Sequence, residues 1–465
     1  MYANDRLAEI FKRSRSGPYM KEEDYDLALA RRARQLVKDY GITYSPDNVC
    51  PADDRMADAV WEAGMQLFLD IGVYHLNTQR VIKFDRGEVV DALRRLPDEL
   101  HLGEGKDMVV AKHRGVEDNV TPCLNLAGPA GQPCSEDYYL PLLISYAQEP
   151  YIQAIEAGCT LTYAGQDIQA GTLTEVKAVQ RDSATAREAI RRAGRPGMHI
   201  GDCATGMTCL GKMAASDPVF GLRPCDGRLV AQMCELKTDD DQLARVPHLL
   251  QYGAHIINLM TPLTGGVGGA PHTVSVVSIA EFLLGVVCYH ASYHYQSITH
   301  IKWTNNSDPW GMYVLAMTGQ AIARNSKIIS TDDPFTMCGP GTDELLYEVA
   351  GHSIIGTVCG FHQHGVGSCG GNLVDHNSGF ESAFQGEVAL ATQRAGITRE
   401  KANSIALTLL QKYKDTFENP KRGKFFHEVY DVKSVTPTQE WRDCYRRVKE
   451  ELTRLGLIFV ASPWD

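Results

Sequence analysis

The amino-acid sequence predicts an α/β protein built on a (β/α)8 TIM barrel, with helical additions at its N-terminal and C-terminal ends. After about residue 107, short apolar runs that end in Gly, Asn, Asp or His alternate with longer helical stretches. Repeated strand-then-helix units form parallel sheets, and a length of 465 residues favours a barrel over an open doubly wound sheet. The composition, 44% hydrophobic and 22% charged, is that of a packed globular protein.

The first segment, residues 1–107, is predicted to be helical. Apolar residues follow helical spacing in residues 22–40, 54–71 and 86–96. Gly41 follows the first run and ends it. The segment contains no obvious cluster of catalytic residue types, so we expect it to serve as a scaffold or an assembly surface.

The second segment, residues 108–465, is predicted to contain the barrel and two C-terminal helices that pack outside it. Barrel enzymes bind their substrates in the loops at the carboxyl ends of the strands, so polar residues in those loops are the site candidates. The predicted strands are residues 121–126, 158–163, 197–201, 255–260, 298–303 and 327–330. The predicted helices are residues 173–193, 273–292, 310–324, 343–355, 379–395, 398–412 and 439–455.

Charge and composition narrow the class of ligand. The net charge of −11 argues against nucleic acid and anionic membranes as partners, because both favour clustered Lys and Arg. The N-terminus opens without an apolar signal region, and no run reaches about 18 uncharged apolar residues. The 13 cysteines are scattered and lack the dense spacing of a secreted disulfide framework. The sequence therefore predicts a cytoplasmic protein whose ligands are small molecules and proteins.

One short segment concentrates side chains that bind soft metals. Cys359, His362, His364 and Cys369 place sulfur and nitrogen ligands close together in the sequence. Zinc prefers such ligands and can act as a Lewis acid. The spacing matches no stereotyped zinc signature, so the alternative is a set of hydrogen-bonded loop histidines and core cysteines.

Other loop residues carry two interpretations each. The glycine-rich loop 262–270, which includes Gly268 and Gly269, either lets a flat ligand approach the backbone or forms a tight turn that requires positive φ. His199 precedes Gly201 by two residues, so alternation places both on one face of the predicted strand, where His199 serves the site or the core. The acidic pair Asp332 and Asp333 either binds a cationic amine or caps a helix.

Aromatic residues follow one of the later apolar runs. Tyr293, Tyr295 and Trp303 either form a cation-binding wall or pack in the core.

Several fragments in the same order resemble the monomethylamine methyltransferases of methanogenic archaea. The resemblance runs from about residue 24 to residue 459 and is most specific in residues 128–137, 193–198, 235–237, 300–303, 430–439 and 455–459. It implies a (β/α)8 barrel with helical additions that assembles as a homo-oligomer, typically a hexamer. It also implies methyl transfer from an amine to cobalt(I) in a separate corrinoid (cobalamin) protein, which docks over the barrel mouth, with no cofactor bound tightly by the methyltransferase.

The resemblance also shows a departure from the family pattern. Family members capture the amine on the imine of pyrrolysine, with two glutamates and a glutamine around it. The resemblance places the pyrrolysine position at Gly201, the glutamates at Leu229 and Leu259, and the glutamine at Asp333. The sequence therefore predicts a member without pyrrolysine whose pocket is rebuilt.

The departure constrains the methyl donor. Cobalt(I) attacks the methyl carbon by displacement, so the nitrogen must be a good leaving group, as it is in a quaternary ammonium compound. We expect a donor of the methylamine or quaternary ammonium (onium) type, with space beside Gly201. Asp333 would orient the donor, and His199 and Asp202 would shape the pocket. The other expected pocket residues are Leu229, Leu259, Trp303, Gly268 and Gly269.

Three alternatives stay open from the sequence. Zinc held by the segment from Cys359 to Cys369 would activate the donor in place of pyrrolysine. A paralogue that has lost the chemistry would only bind the corrinoid protein. A metal-dependent lyase or hydrolase would use the same barrel.

Overall fold

The computed structural model describes residues 2–129 and 131–464, so Ala130, within one fragment of the resemblance, lies outside the described residues. The described residues form helices and strands that alternate through most of the chain. The helices are α1 (Tyr2–Ser16), α2 (Glu22–Asp39), α3 (Asp54–Ile71), α4 (Arg86–Arg94), α5 (Tyr139–Ala147), α6 (Leu173–Arg192), α7 (Cys209–Ala214), α8 (Asp240–Tyr252), α9 (Pro271–Cys288), α10 (Pro309–Asn325), α11 (Asp343–Val358), α12 (Gly379–Arg394), α13 (Arg399–Tyr413), α14 (Phe426–Val429) and α15 (Gln439–Arg454).

Most of the strands are short. They are β1 (Val73–His75), β2 (Arg80–Ile82), β3 (Glu99–Leu102), β4 (Val109–Lys112), β5 (Pro133–Cys134), β6 (Ala154–Ala157), β7 (Cys159–Thr160), β8 (Thr162–Tyr163), β9 (Gln166–Asp167), β10 (His199–Cys203), β11 (Gly227–Ala231), β12 (Lys237–Thr238), β13 (His255–Met260), β14 (Leu263–Thr264), β15 (Tyr293–Gln296), β16 (Thr299–His300), β17 (Ser330–Asp332), β18 (His362–Gln363), β19 (Tyr430–Asp431) and β20 (Thr436–Pro437).

Local side-chain chemistry accounts for several helix ends. The Asp53 carboxylate accepts hydrogen bonds from the backbone N–H groups of Arg55 and Met56, so it satisfies free donors at the start of α3. Gly253 ends α8 in the left-handed conformation, with a φ of 82°, which glycine adopts without steric cost. These boundaries can be read from the residues themselves.

Parallel strands at the centre of the molecule define an α/β protein. Strands β11, β13, β15, β17 and β18 lie side by side in that order and pair in parallel, and β6 pairs in parallel with β10. Their spatial order follows their order in the chain, and a helix separates each strand from the next. This is the crossover pattern that parallel pairing requires.

Hydrogen bonds connect the two parallel ladders. Gln363 of β18 forms a parallel bridge with Asn125. The carbonyl oxygen of Asn125 in turn accepts a hydrogen bond of 2.8 Å from the Gln153 N–H, just before β6. On the other side, the N–H of Ile200 in β10 donates to the Asp226 carboxylate, at 3.0 Å, just before β11. The parallel strands are therefore linked in one series from Asn125 to β18.

The predicted strands match the observed ones unevenly. The prediction for residues 255–260 coincides with β13, whereas other central strands begin up to five residues from their predicted starts, and β11 and β18 were not predicted. Strand β11 contains Arg228, whose guanidinium is buried and donates to the carbonyl oxygens of Gly227 and Leu222. Buried strands are predicted from runs of apolar residues. The charged Arg228 interrupts such a run, so β11 could not be predicted from its pattern.

The two predicted segments are packed together. Strand β1, from the first segment, pairs in parallel with β12 from the second. Helix α3 packs against α9 and α10, and one buried core includes Trp61 and Phe68 together with Phe282. Helices α13 and α15 pack on the outer side of α11, where the sequence predicted two C-terminal helices. The boundary at residue 107 stays a prediction, and it does not separate two cores.

Helix α9 is, among the described residues, the one helix that is long and apolar enough to cross a membrane. Of that stretch, 94% is buried inside the protein. Because its neighbours in the fold cover it on all sides, it is the central helix of the core.

We expect Glu281→Gln, within α9, to stabilise the protein at alkaline pH. Both carboxyl oxygens of Glu281 are buried without a hydrogen-bond partner. Burial, and then the nearby Glu235 carboxylate, raise the pKa of Glu281 well above its usual value. An acid whose pKa is raised on folding contributes stability at low pH and loses it as the pH rises above its unfolded pKa.

The free energy of unfolding of E281Q should therefore exceed that of the unchanged protein by about 1–3 kcal/mol at about pH 8, because Gln carries no charge to bury. Denaturant titration at about pH 8 and about pH 5 measures the effect. A gain that is as large at the lower pH as at the higher would contradict the explanation.

Candidate active site

A cavity of about 140 Å³ lies among the carboxyl ends of the parallel strands. Strands β6, β11, β13 and β15, and the residues just after β10, β17 and β18, contribute to its wall. A larger apolar groove of about 360 Å³ lies between α1 and α8, away from these strand ends. The cavity is lined by Gly131, Glu156, Ala204, Leu229, Leu259, Thr261, Tyr295, Ser297, Asp333, Phe335 and His364.

Three charged side chains form the polar part of the cavity, and we call Glu156, His364 and Asp333 the ion triple. His364 Nε2 lies 3.5 Å from Glu156 Oε1, and His364 Nδ1 lies 3.6 Å from Asp333 Oδ2. Burial lowers the pKa of His364, but the two carboxylates outweigh burial and raise it to about 9. At neutral pH His364 is therefore an imidazolium, and it lies between the side chains of Glu156 and Asp333.

Several polar atoms of the ion triple have no hydrogen-bond partner within the described protein. They are Glu156 Oε1, Asp333 Oδ1 and both ring nitrogens of His364. The Ser297 hydroxyl donates to the other oxygen of Asp333, at 3.1 Å. Glu156 Oε1 and the two ring nitrogens of His364 already belong to the ion pairs, so Asp333 Oδ1 is the atom of the triple at which a polar ligand or water would complete the site.

Aliphatic and aromatic side chains form the remainder of the wall. Leu229 and Leu259 come from the neighbouring strands β11 and β13, which pair along their whole shared length. The Tyr295 ring lies against the imidazole of His364, with 3.7 Å between the ring centroids. A cavity that joins charged groups to apolar surface suits a small ligand that carries both a charge and methyl groups.

Gly201 lies beside the cavity but does not line it. A Cβ atom built on Gly201 would lie 2.9 Å from Tyr295 Oη and 3.1 Å from Glu156 Cγ. The empty space expected beside Gly201 is therefore absent, because Tyr295 and Glu156 fill it. The open volume begins beyond these two side chains, both of which line the cavity.

The structure corrects the pocket roles expected for Asp202 and His199. The Asp202 side chain points away from the cavity, towards α7, where it forms a buried ion pair with Lys212. His199 begins β10 instead of ending it, so it lies away from the carboxyl end of the strand. Its Nε2 lies 2.9 Å from the Tyr293 hydroxyl, and burial lowers its pKa to about 4. Neither side chain lines the cavity.

Trp303, Gly268 and Gly269 do not line the cavity either, and the structure corrects their predicted place. Trp303 stacks on His300, with 4.4 Å between ring centroids, in a separate groove. Gly269 has a φ of 73°, and its carbonyl oxygen accepts a hydrogen bond from the Gly265 N–H at 2.8 Å. The glycine-rich loop is therefore a tight turn, as the second interpretation had it.

The four side chains expected to bind zinc face different surroundings. His362 has main-chain partners at both ring nitrogens, Cys359 Sγ lies 3.7 Å from the thiol of Cys50, and Cys369 faces a backbone carbonyl. Only His364 of the four lines the cavity. Within residues 2–129 and 131–464, no group of three His, Cys, Asp or Glu side chains is placed to hold a metal ion. None of the four is therefore assigned as a metal ligand, which corrects the zinc hypothesis.

Glu156 was not among the predicted site residues, and His364, which was predicted to lie with the cysteines of a zinc site, lies between two carboxylates. Glu156 occupies a strand of otherwise apolar residues, β6, which lies just before the strand predicted at residues 158–163. A charged residue inside an apolar run was the available signal. Nothing in the sequence indicated that Glu156 and Asp333 would flank His364, because the three belong to different strands.

The fold and the cavity define the class: an α/β enzyme whose small ionic pocket lies at the carboxyl ends of parallel strands. A family model described as monomethylamine methyltransferase MtmB matches residues 6–457. The chain is 31% identical over 453 residues to monomethylamine methyltransferase MtmB2 of Methanosarcina acetivorans, which covers 97% of this chain and 98% of the relative. It has the same identity and coverage with MtmB3 of Methanosarcina barkeri.

Solved structures agree with this relationship. The crystal structure of the Methanosarcina barkeri monomethylamine methyltransferase MtmB superposes with a TM-score of 0.94 at 30% identity, over 97% of this chain and 98% of that one. The crystal structure of a hydroxylamine complex of MtmB superposes equally well. The chain belongs to the monomethylamine methyltransferase MtmB family, and it is a methyltransferase.

Proposed function

We propose that this protein transfers a methyl group from a small methylated ammonium compound to the cobalt of a corrinoid carried by a partner protein. Family membership supports methyl transfer from an amine. The charge of the cavity is the observation that indicates which class of methyl donor binds. Glu156 and Asp333 flank the single positive charge of His364, so the two carboxylates leave the site with an excess of negative charge, which attracts a cationic donor.

The size of the cavity limits the donor further. Its volume of about 140 Å³ is close to that of an engineered apolar cavity of about 150 Å³ that binds benzene. Methylammonium and tetramethylammonium are of this size or smaller. Leu229 and Leu259 offer apolar contacts to N-methyl groups.

The donor is proposed to be activated by its own positive charge. Cobalt(I) forms the bond to the methyl carbon while the C–N bond breaks, and the nitrogen keeps the electron pair and leaves as a neutral amine. Gly201 stands where the resemblance places pyrrolysine, and Tyr295 and Glu156 occupy the adjacent space. No side chain at this position captures the amine.

We also propose that the central parallel strands form a closed barrel. The segment around Asn125, together with strands β6, β10, β11, β13, β15, β17 and β18, is proposed to close a (β/α)8 barrel with the cavity at its mouth. The hydrogen bonds that link these segments in series support closure. The resemblance supports a cytoplasmic homo-oligomer, typically a hexamer, and a corrinoid protein that docks over the mouth.

Methyl-cobalt formation tests the proposed function. The purified protein is mixed with a cobalt(I) corrinoid protein and with methylammonium, tetramethylammonium or the bulkier glycine betaine, and the corrinoid absorbance spectrum is recorded. We expect methyl-cobalt with at least one of the two small donors, release of one equivalent of amine, and a slower reaction with glycine betaine.

The corrinoid protein with each donor alone is the control. Formation of a complex with the corrinoid protein but no methyl-cobalt from any donor would contradict the proposal, and it would favour a paralogue that only binds that partner.

A further inference from the structure

The cavity contains a positive charge before any donor binds. The ion triple holds the His364 imidazolium within 3.6 Å of both carboxylates, and all three side chains are buried. A cationic donor that binds to the same carboxylates must lie close to His364, because the whole cavity measures about 140 Å³. Two like charges repel strongly at such short range in a buried site, where water screens them poorly.

We propose that a cationic methyl donor displaces the proton of His364, and that His364 takes up a proton again when the neutral amine product leaves. This inference rests on the proposed function, because it takes the donor to be a cation. The exchange keeps the charge of the cavity constant. One positive charge lies between the two carboxylates in every state, first on His364, then on the donor, and finally on His364 again.

The exchange is balanced over one turnover. The proton leaves His364 for solvent when the donor binds. In the transfer, the C–N bond breaks, its electron pair stays on nitrogen, and the cobalt(I) corrinoid supplies the pair that forms the Co–C bond. The positive charge of the donor departs with the methyl group, and His364 recovers one proton from water. No further reactant is needed.

The groups that face His364 come from three strands. They are Glu156 on β6, Tyr295 on β15 and Asp333 just after β17. Tyr295 stays neutral, because burial raises its pKa well above its usual value. The two carboxylates raise the pKa of His364 to about 9, and Asp333 Oδ1 takes no part in the ion pair with His364 and is free to face a ligand.

Calorimetry without the corrinoid partner measures the exchange directly. Tetramethylammonium is titrated into the protein, because this cation has no proton to lose, in two buffers of different ionisation enthalpy at about pH 7. We expect release of about one proton per bound cation, and an affinity that rises by up to about tenfold per pH unit between about pH 7 and 8.5. Methylammonium serves as a second probe.

Two variants test whether His364 is the group that releases the proton when the cation binds. We expect His364→Gln to bind tetramethylammonium without proton release and with little dependence on pH. His427→Gln, at an exposed histidine on α14, should keep both properties of the unchanged protein. If H364Q does not fold, the pair of buffers with the unchanged protein still decides the question.

The outcomes distinguish this inference from the proposed function. Binding of the cation without proton release would overturn the exchange and leave methyl transfer untouched. Proton-coupled binding with no methyl-cobalt formation would support the exchange and contradict the function. Failure of both cations to bind would count against both.

Discussion

Asp333→Asn is expected to lower kcat/KM for the methyl donor by about tenfold to a hundredfold. The Asp333 carboxylate lines the cavity, one of its oxygens has no partner in the described protein, and it faces His364 at 3.6 Å. Hydrogen bonds to charged groups are worth about 1.5–3 kcal/mol, which corresponds to this range of rates. The initial rate of methyl-cobalt formation across donor concentrations measures the loss.

The neighbouring residue supplies a matched control. Asp332 is buried and does not line the cavity, and burial raises its pKa well above its usual value. Asp332→Asn therefore replaces a side chain that no ligand in the cavity can contact with one of nearly the same size. We expect D332N to retain a kcat/KM close to that of the unchanged enzyme. Equal losses in D333N and D332N would show that the charge of Asp333 is not the cause.

Gly201→Ala is expected to destabilise the protein by about 1–3 kcal/mol and to reduce methyl transfer as well. The new Cβ atom would lie 2.9 Å from Tyr295 Oη, so the buried tyrosine must move. Tyr295 lies against His364, and its displacement disturbs the ion triple. Denaturant titration measures the loss of stability, and the methyl-cobalt assay measures the loss of rate.

A second glycine distinguishes packing from the general effect of adding a methyl group. A Cβ atom built on Gly115 would meet no atom within 4 Å. We expect Gly115→Ala to change neither the stability nor the rate by more than a small factor. If G201A behaved like G115A, then Tyr295 and Glu156 would not be packed against Gly201 in solution as they are here.

Local patterns in the sequence were sufficient to predict many of the helices and strands. Helix α3 spans Asp54–Ile71 and strand β13 spans His255–Met260, as their apolar spacing predicted. The order of strands and helices predicted parallel pairing and hence an α/β fold. These features depend on residues that are close together in the chain, so the pattern of apolar side chains reports them directly.

The resemblance contributed residues that spacing alone would not have singled out. Leu229, Leu259 and Asp333 were selected because of the family pattern, and all three lie in the cavity wall. The same reasoning did not extend to their surroundings. It predicted free space beside Gly201, whereas two side chains from other strands occupy that space.

By itself the sequence determined the α/β class and most of the helices. Only the tertiary structure decided the chemistry of the pocket. A shift of two residues in the start of β10 placed His199 at the beginning of the strand, and alternation turned Asp202 outward. Glu156, His364 and Asp333 meet because parallel strands far apart in the chain end at one place, and their charges interact strongly because burial removes the water that would otherwise screen them.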